Sequence, residues 1–265
     1  MRIGFIGAGR MGAPMVQRLT GAGHDVRALG RIDEKRAVVG ALGATPVATA
    51  ADAVREADIV IVCVFTDEQV RGICTDDLLD AMAPGAVLVL HTTGSPRTAE
   101  DIAARAAHRR IAVIDAPVSG GPHDVAAGSV TVFAGGDADA LERAGAALRA
   151  YAEPVLHVGP VGAGQRVKLI NNTLFAAQIG IVAEGVRLAR ELGVEESTML
   201  TALTHGSAAG RALSGVAATG SAEKFKARVG EFLGKDVAVV RKTVAELGAD
   251  LGILDNAVDA ALRRS

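Results

Sequence analysis

Lys168 and Asn172 stand four residues apart in the segment Gly162-Ala-Gly-Gln-Arg-Val-Lys-Leu-Ile-Asn-Asn172. On a helix that spacing puts both on one face, one turn apart. An ammonium among Val167, Leu169 and Ile170 is costly unless it meets an anion or faces a cleft. Partial burial would lower its pKa and suit it to moving a proton, with Asn172, alone or with Asn171, holding the lysine or a substrate oxygen. A lysine snorkelling from a helix end would read the same way. A second segment is Asp115-Ala-Pro-Val-Ser-Gly-Gly121, where Ser119 with the amides of Gly120 and Gly121 could form a concavity for a carboxylate. The same residues are also an ordinary turn composition. Lys235-Asp236 places a charged pair in an apolar helical stretch, so that Lys235 either reaches a cofactor or belongs to a surface pair.

The segment Gly7-Ala-Gly-Arg-Met-Gly12 fits G-x-G-x-x-G directly after a strand and at the opening of a helix. Gly7 permits a tight turn, Gly9 lets a pyrophosphate approach the backbone, and Gly12 allows helix and strand to pack closely. Arg10 and Met11 stand at the helix start, whose free amides and dipole favour a diphosphate. Alone the pattern is weak, but within a strand–helix–strand unit it predicts dinucleotide binding. The second strand should end near Leu29, where NAD sites commonly place an acid on the ribose. Here the tip reads Leu29-Gly-Arg-Ile-Asp33. Arg31 could pair with a 2′-phosphate or be an exposed loop arginine, and Asp33 could swing in. NADP is therefore the expected cofactor, with NAD possible.

The elements that must position these residues follow from the apolar pattern. Arg2–Ile6, Asp25–Leu29, Ile59–Val64, Ala86–Leu90, Ile111–Ile114, Ser129–Ala134 and Val155–Val158 read as strands, separated by helical stretches such as 11–22, 33–42 and 97–108. Continuous apolar strands alternating with helices predict a mainly parallel sheet covered on both faces. Beyond Gly159-Pro-Val-Gly-Ala-Gly164 no strand signal remains. Gln165–Leu192 is one helical pattern of about 28 residues, or about 42 Å, apolar on much of its circumference. Helical segments follow at 195–203, 229–247 and 251–264. The expected fold is α/β: an N-terminal doubly wound, Rossmann-type sheet over residues 1–160, then an all-α domain over 161–265, joined by the long helix. So long an apolar helix calls for a partner subunit.

Composition narrows the function classes. With 49% apolar and 22% charged residues the chain is not disordered. A formal charge of -2 and 3% aromatics offer neither a basic field for nucleic acid or anionic membrane nor base-stacking platforms. Cys63 and Cys74 form no zinc knuckle, CxxC pair or disulfide framework, and the six histidines form no spaced metal set. The opening MRIGFIG is strand-like, with no signal-peptide pattern, and no uncharged apolar run reaches the length of a membrane span. A cytoplasmic enzyme on a small molecule is the expectation, with no metal, nucleic acid or membrane partner.

Taken together, the glycine turn, the Asp115–Gly121 segment, the Gly162–Asn172 segment and Lys235-Asp236 resemble, in order and approximate spacing, the β-hydroxyacid dehydrogenases, which include 3-hydroxyisobutyrate dehydrogenase and glyoxylate/succinic semialdehyde reductases. The resemblance covers nearly the whole chain. It implies Lys168 as general acid/base and Asn172 as its supporting residue. Ser119, Gly120 and Gly121 would hold a substrate carboxylate. Thr93, in His91-Thr-Thr-Gly-Ser-Pro96, would lie near the nicotinamide ribose and Lys235 near the cofactor. It further implies interconversion of a small β-hydroxyacid and its semialdehyde by a homodimer or homotetramer. Two departures stand out. Asp124-Val125 occupies the place where the family often has Gly-Ala, and the chain ends at Ser265 on what reads as the penultimate helix, so pocket wall or interface should differ. Imine reductases share the architecture but generally lack a lysine at position 168. A catalytically silent dinucleotide-binding module would need neither Lys168 nor Asn172.

Overall fold

The computed structural model describes residues 1–263, and of residues 231 and 232 the backbone alone. The chain divides into two compact units, Met1–Lys168 and a second beginning at Leu169. In the first, the elements run β1 (Arg2–Ile6), α1 (Gly12–Gly21), β2 (Asp25–Leu29), α2 (Asp33–Ala41), β3 (Thr45–Val47), α3 (Ala50–Val54) and β4 (Ile59–Val62). Then come α4 (Asp67–Ile73), α5 (Asp76–Ala81), β5 (Val87–Leu90), α6 (Pro96–Ala107), β6 (Ala112–Asp115) and β7 (Val118–Ser119). The run closes with α7 (Pro122–Ala127), β8 (Val130–Gly135), α8 (Ala138–Arg149) and β9 (Ala152–Gly159). The long helix α9 (Ala163–Glu191) begins in this unit and ends in the next.

Strand order is β3-β2-β1-β4-β5-β6-β8-β7, with β9 on β8. From β3 to β6 every pair is parallel. Side chains alternate between two cores. Ile3, Phe5, Ile59, Ile61, Val87 and Val89 face one layer with Met15, Val16 and Leu19 of α1. Ile6, Val60, Val62, Leu88 and Leu90 face the other with Leu78, Leu79 and Ile102. That period of two explains why the strands read as unbroken apolar runs. β3 has no counterpart among the expected strands, and β7 and β8 also differ from expectation. β8 runs antiparallel to β6, pairing at Asp115 and Gly135. β7 continues the same ladder, with Val118 opposite Val132 and Ser119 opposite Thr131, so part of the expected Ser-Gly-Gly turn is strand.

In the second unit, α9 is followed by α10 (Glu196–Leu203), α11 (Arg211–Thr219), α12 (Ala222–Glu246) and α13 (Ile253–Leu262). Helix α12 starts two turns earlier than expected, and Arg264, the expected end of α13, lies outside the described residues. Ala176, Ala177, Ile179 and Val186 of α9 form a core with Leu213, Phe225, Val237 and Val258. A Cβ on Gly180 would stand 1.9 Å from the Ala257 carbonyl oxygen, so α9 and α13 cross there at backbone contact. By length and composition α9 would suffice to cross a membrane, yet it supplies this core. Its opposite side leaves Ile170, Leu174, Ile181 and Leu188 exposed, four and seven residues apart on one helix face.

Candidate active site

The sheet order reverses between β1 and β4, and ligands of open α/β sheets bind beyond the carboxyl ends of strands at such a point. Gly7, with φ +105°, sits there; a Cβ on it would stand 2.2 Å from the Cys63 carbonyl oxygen just past β4. Helical bonding opens at Gly9, whose carbonyl accepts from the Ala13 amide at 2.8 Å. The amides of residues 10–12 therefore lie in the first turn, where a helix has no intrahelical acceptor of its own. Gly9 and Arg10 are exposed, Met11 is half-buried against the sheet core, and Gly12 is buried. A Cβ at Gly9 would meet nothing within 4 Å. The turn thus presents bare, unobstructed backbone at Gly9. At the tip of β2, Arg31 is exposed, whereas Asp33 pairs with Arg36, which also donates to the Gly30 carbonyl at 3.0 Å.

Past β5 and β6 a buried polar network holds the loops in place. Asp115, wholly buried at the end of β6, accepts from the Gly162 amide at 2.6 Å and the Gln165 amide at 2.7 Å, capping the first turn of α9. Desolvation raises its pKa to about 6 against the pull of those two amides, so near pH 7 the carboxylate form prevails. Gln165, 3% exposed, accepts from the Gly94 amide and donates to the Thr92 carbonyl, both at 2.9 Å. Thr93, half-buried, lies between those two atoms. The Thr92 hydroxyl in turn exchanges bonds with the Val64 amide and carbonyl beyond β4.

His91 belongs to this framework and not to the chemistry. Its Nδ1 lies 2.5 Å from the Ala116 carbonyl oxygen, which only accepts, so Nε2 accepts from the Tyr151 hydroxyl at 2.8 Å. Burial pushes its pKa down to about 4 and keeps the ring neutral. Removing the hydroxyl in Tyr151→Phe should leave Nε2 buried without a donor, at about 1–3 kcal/mol of stability. Urea unfolding at pH 7.5 measures this, and an unchanged midpoint would contradict the assignment.

Of the expected site residues, Ser119 ends β7, half-buried, and Gly120 has φ +137°. The Gly121 amide is already engaged: it donates to Asp124 Oδ2 at 2.6 Å, with His123 Nε2 3.3 Å from the same oxygen. One amide of the expected carboxylate concavity therefore holds the chain's own carboxylate. The cause is local. Asp124 is the third residue of α7 and reaches back to cap it. Lys168 is 8% exposed and Asn172 7%, one turn apart on α9. Within the second unit, Asn172 Nδ2 donates to Asp236 Oδ2 at 3.0 Å, Asn171 Nδ2 donates to Asn172 Oδ1 at 3.2 Å, and Lys235 Nζ stands 3.7 Å from Asp236 Oδ1. Asp236 so ties together two residues that sequence spacing alone left apart. Gln165 was also missed. Its partners lie 71 and 73 residues away, and no local pattern announces them. Asp115 carried a signal, an acid closing an apolar strand.

Comparison with known proteins agrees. Residues 2–159 match the NAD binding domain of 6-phosphogluconate dehydrogenase, and residues 162–262 the NAD-binding domain of NADP-dependent 3-hydroxyisobutyrate dehydrogenase. An NAD-dependent L-serine dehydrogenase of Pseudomonas aeruginosa is 39% identical over 200 residues, 75% of this chain and 67% of that protein. The structure of Mycobacterium tuberculosis 3-hydroxyisobutyrate dehydrogenase with L-serine superposes with a TM-score of 0.88 at 32% identity, covering 97% of this chain and 91% of that one. A 3-hydroxyisobutyrate dehydrogenase from Salmonella typhimurium gives 0.79 at 27% identity, covering 98% and 92%. The family models span nearly the whole chain and the fold superposes throughout, and the chain belongs to the β-hydroxyacid dehydrogenase family.

Proposed function

We propose that this chain is an NADP(H)-preferring dehydrogenase that interconverts a small β-hydroxyacid and its semialdehyde, with Lys168 as the general acid/base. The observation that carries this reading is Lys168 itself, a buried ammonium one turn past the Asp115-capped start of α9. When bound, the nicotinamide dinucleotide supplies the hydride in reduction and accepts it in oxidation. The turn at Gly7, Gly9 and Gly12, with Arg10 and Met11, holds the diphosphate, while Thr93 and Lys235 contact the cofactor as the family resemblance implies. Lys168 delivers a proton to the developing alkoxide oxygen in reduction and removes it in oxidation. Asn172 supports it, its amide oriented by Asp236. Ser119 and Gly120 orient the substrate carboxylate together with Gly121, which is shared with Asp124. In this reading the enzyme is cytoplasmic and works as a homodimer or homotetramer. The exposed stripe Ile170, Leu174, Ile181 and Leu188 supports a second copy on α9.

Preference for NADP rests on Arg31, exposed at the tip of β2, and on Asp33 being drawn to Arg36. A screen of NADPH and NADH with methylmalonate, succinic and tartronate semialdehydes, glyoxylate and a cyclic imine, and of NADP⁺ and NAD⁺ with 3-hydroxyisobutyrate and L-serine, tests the whole reading. L-serine is included because Asp124 sets an acid beside the turn, which favours a substrate that brings an amine with its carboxylate. Turnover of the imine alone, or of nothing despite cofactor binding, would refute it. Arg31→Ala should weaken NADPH binding by about 10- to 100-fold, the scale of a lost charge-assisted contact, and spare NADH. Equal losses for both would remove the 2′-phosphate contact.

A further inference from the structure

We propose that Gln165 is a positioning residue for this reaction: its side-chain amide ties the loop after β5 to the first turn of α9 and so fixes Thr93 and Lys168 relative to one another. The inference rests on the assignment of Lys168 as general acid/base. Gln165 grips the carbonyl before Thr93 and the amide after it, so the backbone of that one residue is clamped on both sides. Three residues further along the helix, on the same face, stands Lys168. The base of the clamp is equally fixed. The Gln165 amide and the Gly162 amide both donate to the buried Asp115 carboxylate, which sets the rotation and height of the turn from which Gln165 and Lys168 project. Two glycines let backbone approach that carboxylate closely. A Cβ on Gly135 would stand 2.5 Å from Asp115 Oδ1, and one on Gly164 would stand 2.9 Å from Oδ2. On the loop side, the Thr92 hydroxyl bonds both polar backbone groups of Val64. An unbroken hydrogen-bonded chain, buried or half-buried along its length, therefore joins the ends of β4, β5 and β6 to the helix that carries the lysine.

Both amide atoms of Gln165 have fixed roles, because Thr92 O only accepts and the Gly94 N–H only donates. A carboxylic acid reproduces that pattern when protonated and loses it when ionised, whereas a thioether never has it. Misplacing a reacting group by about 1 Å costs about 100-fold in rate. Gln165→Met should therefore lower kcat by about 30- to 100-fold, with KM and NADPH affinity, read by NADPH fluorescence, moving less than about threefold. Gln165→Glu should approach wild-type kcat at pH 5.5 and fall to the Gln165→Met level by pH 8. Wild type and Lys168→Ala are run beside them, all as full chains, on whichever substrate the screen finds. If Lys168→Ala is inactive while Gln165→Met keeps wild-type kcat, or while Gln165→Glu follows the wild-type pH profile, the positioning role is overturned alone. If Lys168→Ala turns over normally, the Lys168 assignment falls and takes this inference with it.

Discussion

Lys168→Ala should lower kcat by about 10²- to 10⁴-fold, the range for loss of a positioned general acid. The proton is needed only as charge develops on the substrate oxygen, so kcat and kcat/KM should fall together. NADPH affinity should stay within about threefold, because the turn proposed to hold the pyrophosphate joins β1 to α1 and is not part of α9. Lys168 is buried, so truncation also leaves a void. Lys168→Met keeps most of the volume and should show the same kinetic loss with less loss of stability. Steady-state rates from NADPH absorbance, with fluorescence titration of the cofactor, measure both. Normal turnover in either variant would remove Lys168 from the chemistry.

Legibility of this molecule in its sequence divides by distance along the chain. Apart from β3, the strands from β1 to β6 are readable because Ile, Val and Leu runs such as Ile59–Val62 need burial on both faces, wherever they fall in the fold. β3 was not readable: it is three residues, Thr-Pro-Val, with a proline that suits only a sheet edge, and it pairs with β2 alone. β7 is two residues long and is a strand only because β8 continues past β6 to meet it. Helix α11 hides in Arg-Ala-Leu-Ser-Gly-Val-Ala-Ala-Thr, where small residues give little periodicity and burial of Leu213 and Val216 decides the matter.

The site divides in the same way. The roles of Gly7 and Gly12 follow from a turn whose parts are adjacent in sequence, and they were visible there. Asp115, Gln165 and Asp236 act on groups far along the chain, so their types and spacing suggested nothing of what they hold. Asp124 is the instructive case. Asp124-Val125 stands out in the sequence only as a departure from the family's usual Gly-Ala, and the consequence for Gly121 emerges once α7 places Oδ2 on that amide.

The second large effect separates binding from folding within one motif. Gly9→Ala should leave stability unchanged: the added methyl would meet nothing within 4 Å, and Gly9 is not among the glycines with positive φ. The same methyl would stand on the exposed crest where, in the proposed function, a pyrophosphate touches backbone. NADPH affinity should therefore drop by about 10- to 100-fold, the equivalent of one or two charge-assisted hydrogen bonds. Gly12→Ala should do something different. Its methyl would lie 2.2 Å from the Gly7 carbonyl oxygen and 2.9 Å from the buried Phe5 ring, and neither a main-chain carbonyl nor a core aromatic can yield cheaply. Helix α1 would have to shift off β1, at the ~1–3 kcal/mol typical of overpacking. Thermal unfolding should show a lowered Tm for Gly12→Ala and a wild-type Tm for Gly9→Ala, while both bind NADPH poorly. Should Gly9→Ala bind NADPH as the wild type does, backbone at that crest does not meet the cofactor, and the shape of the turn would reflect helix packing alone.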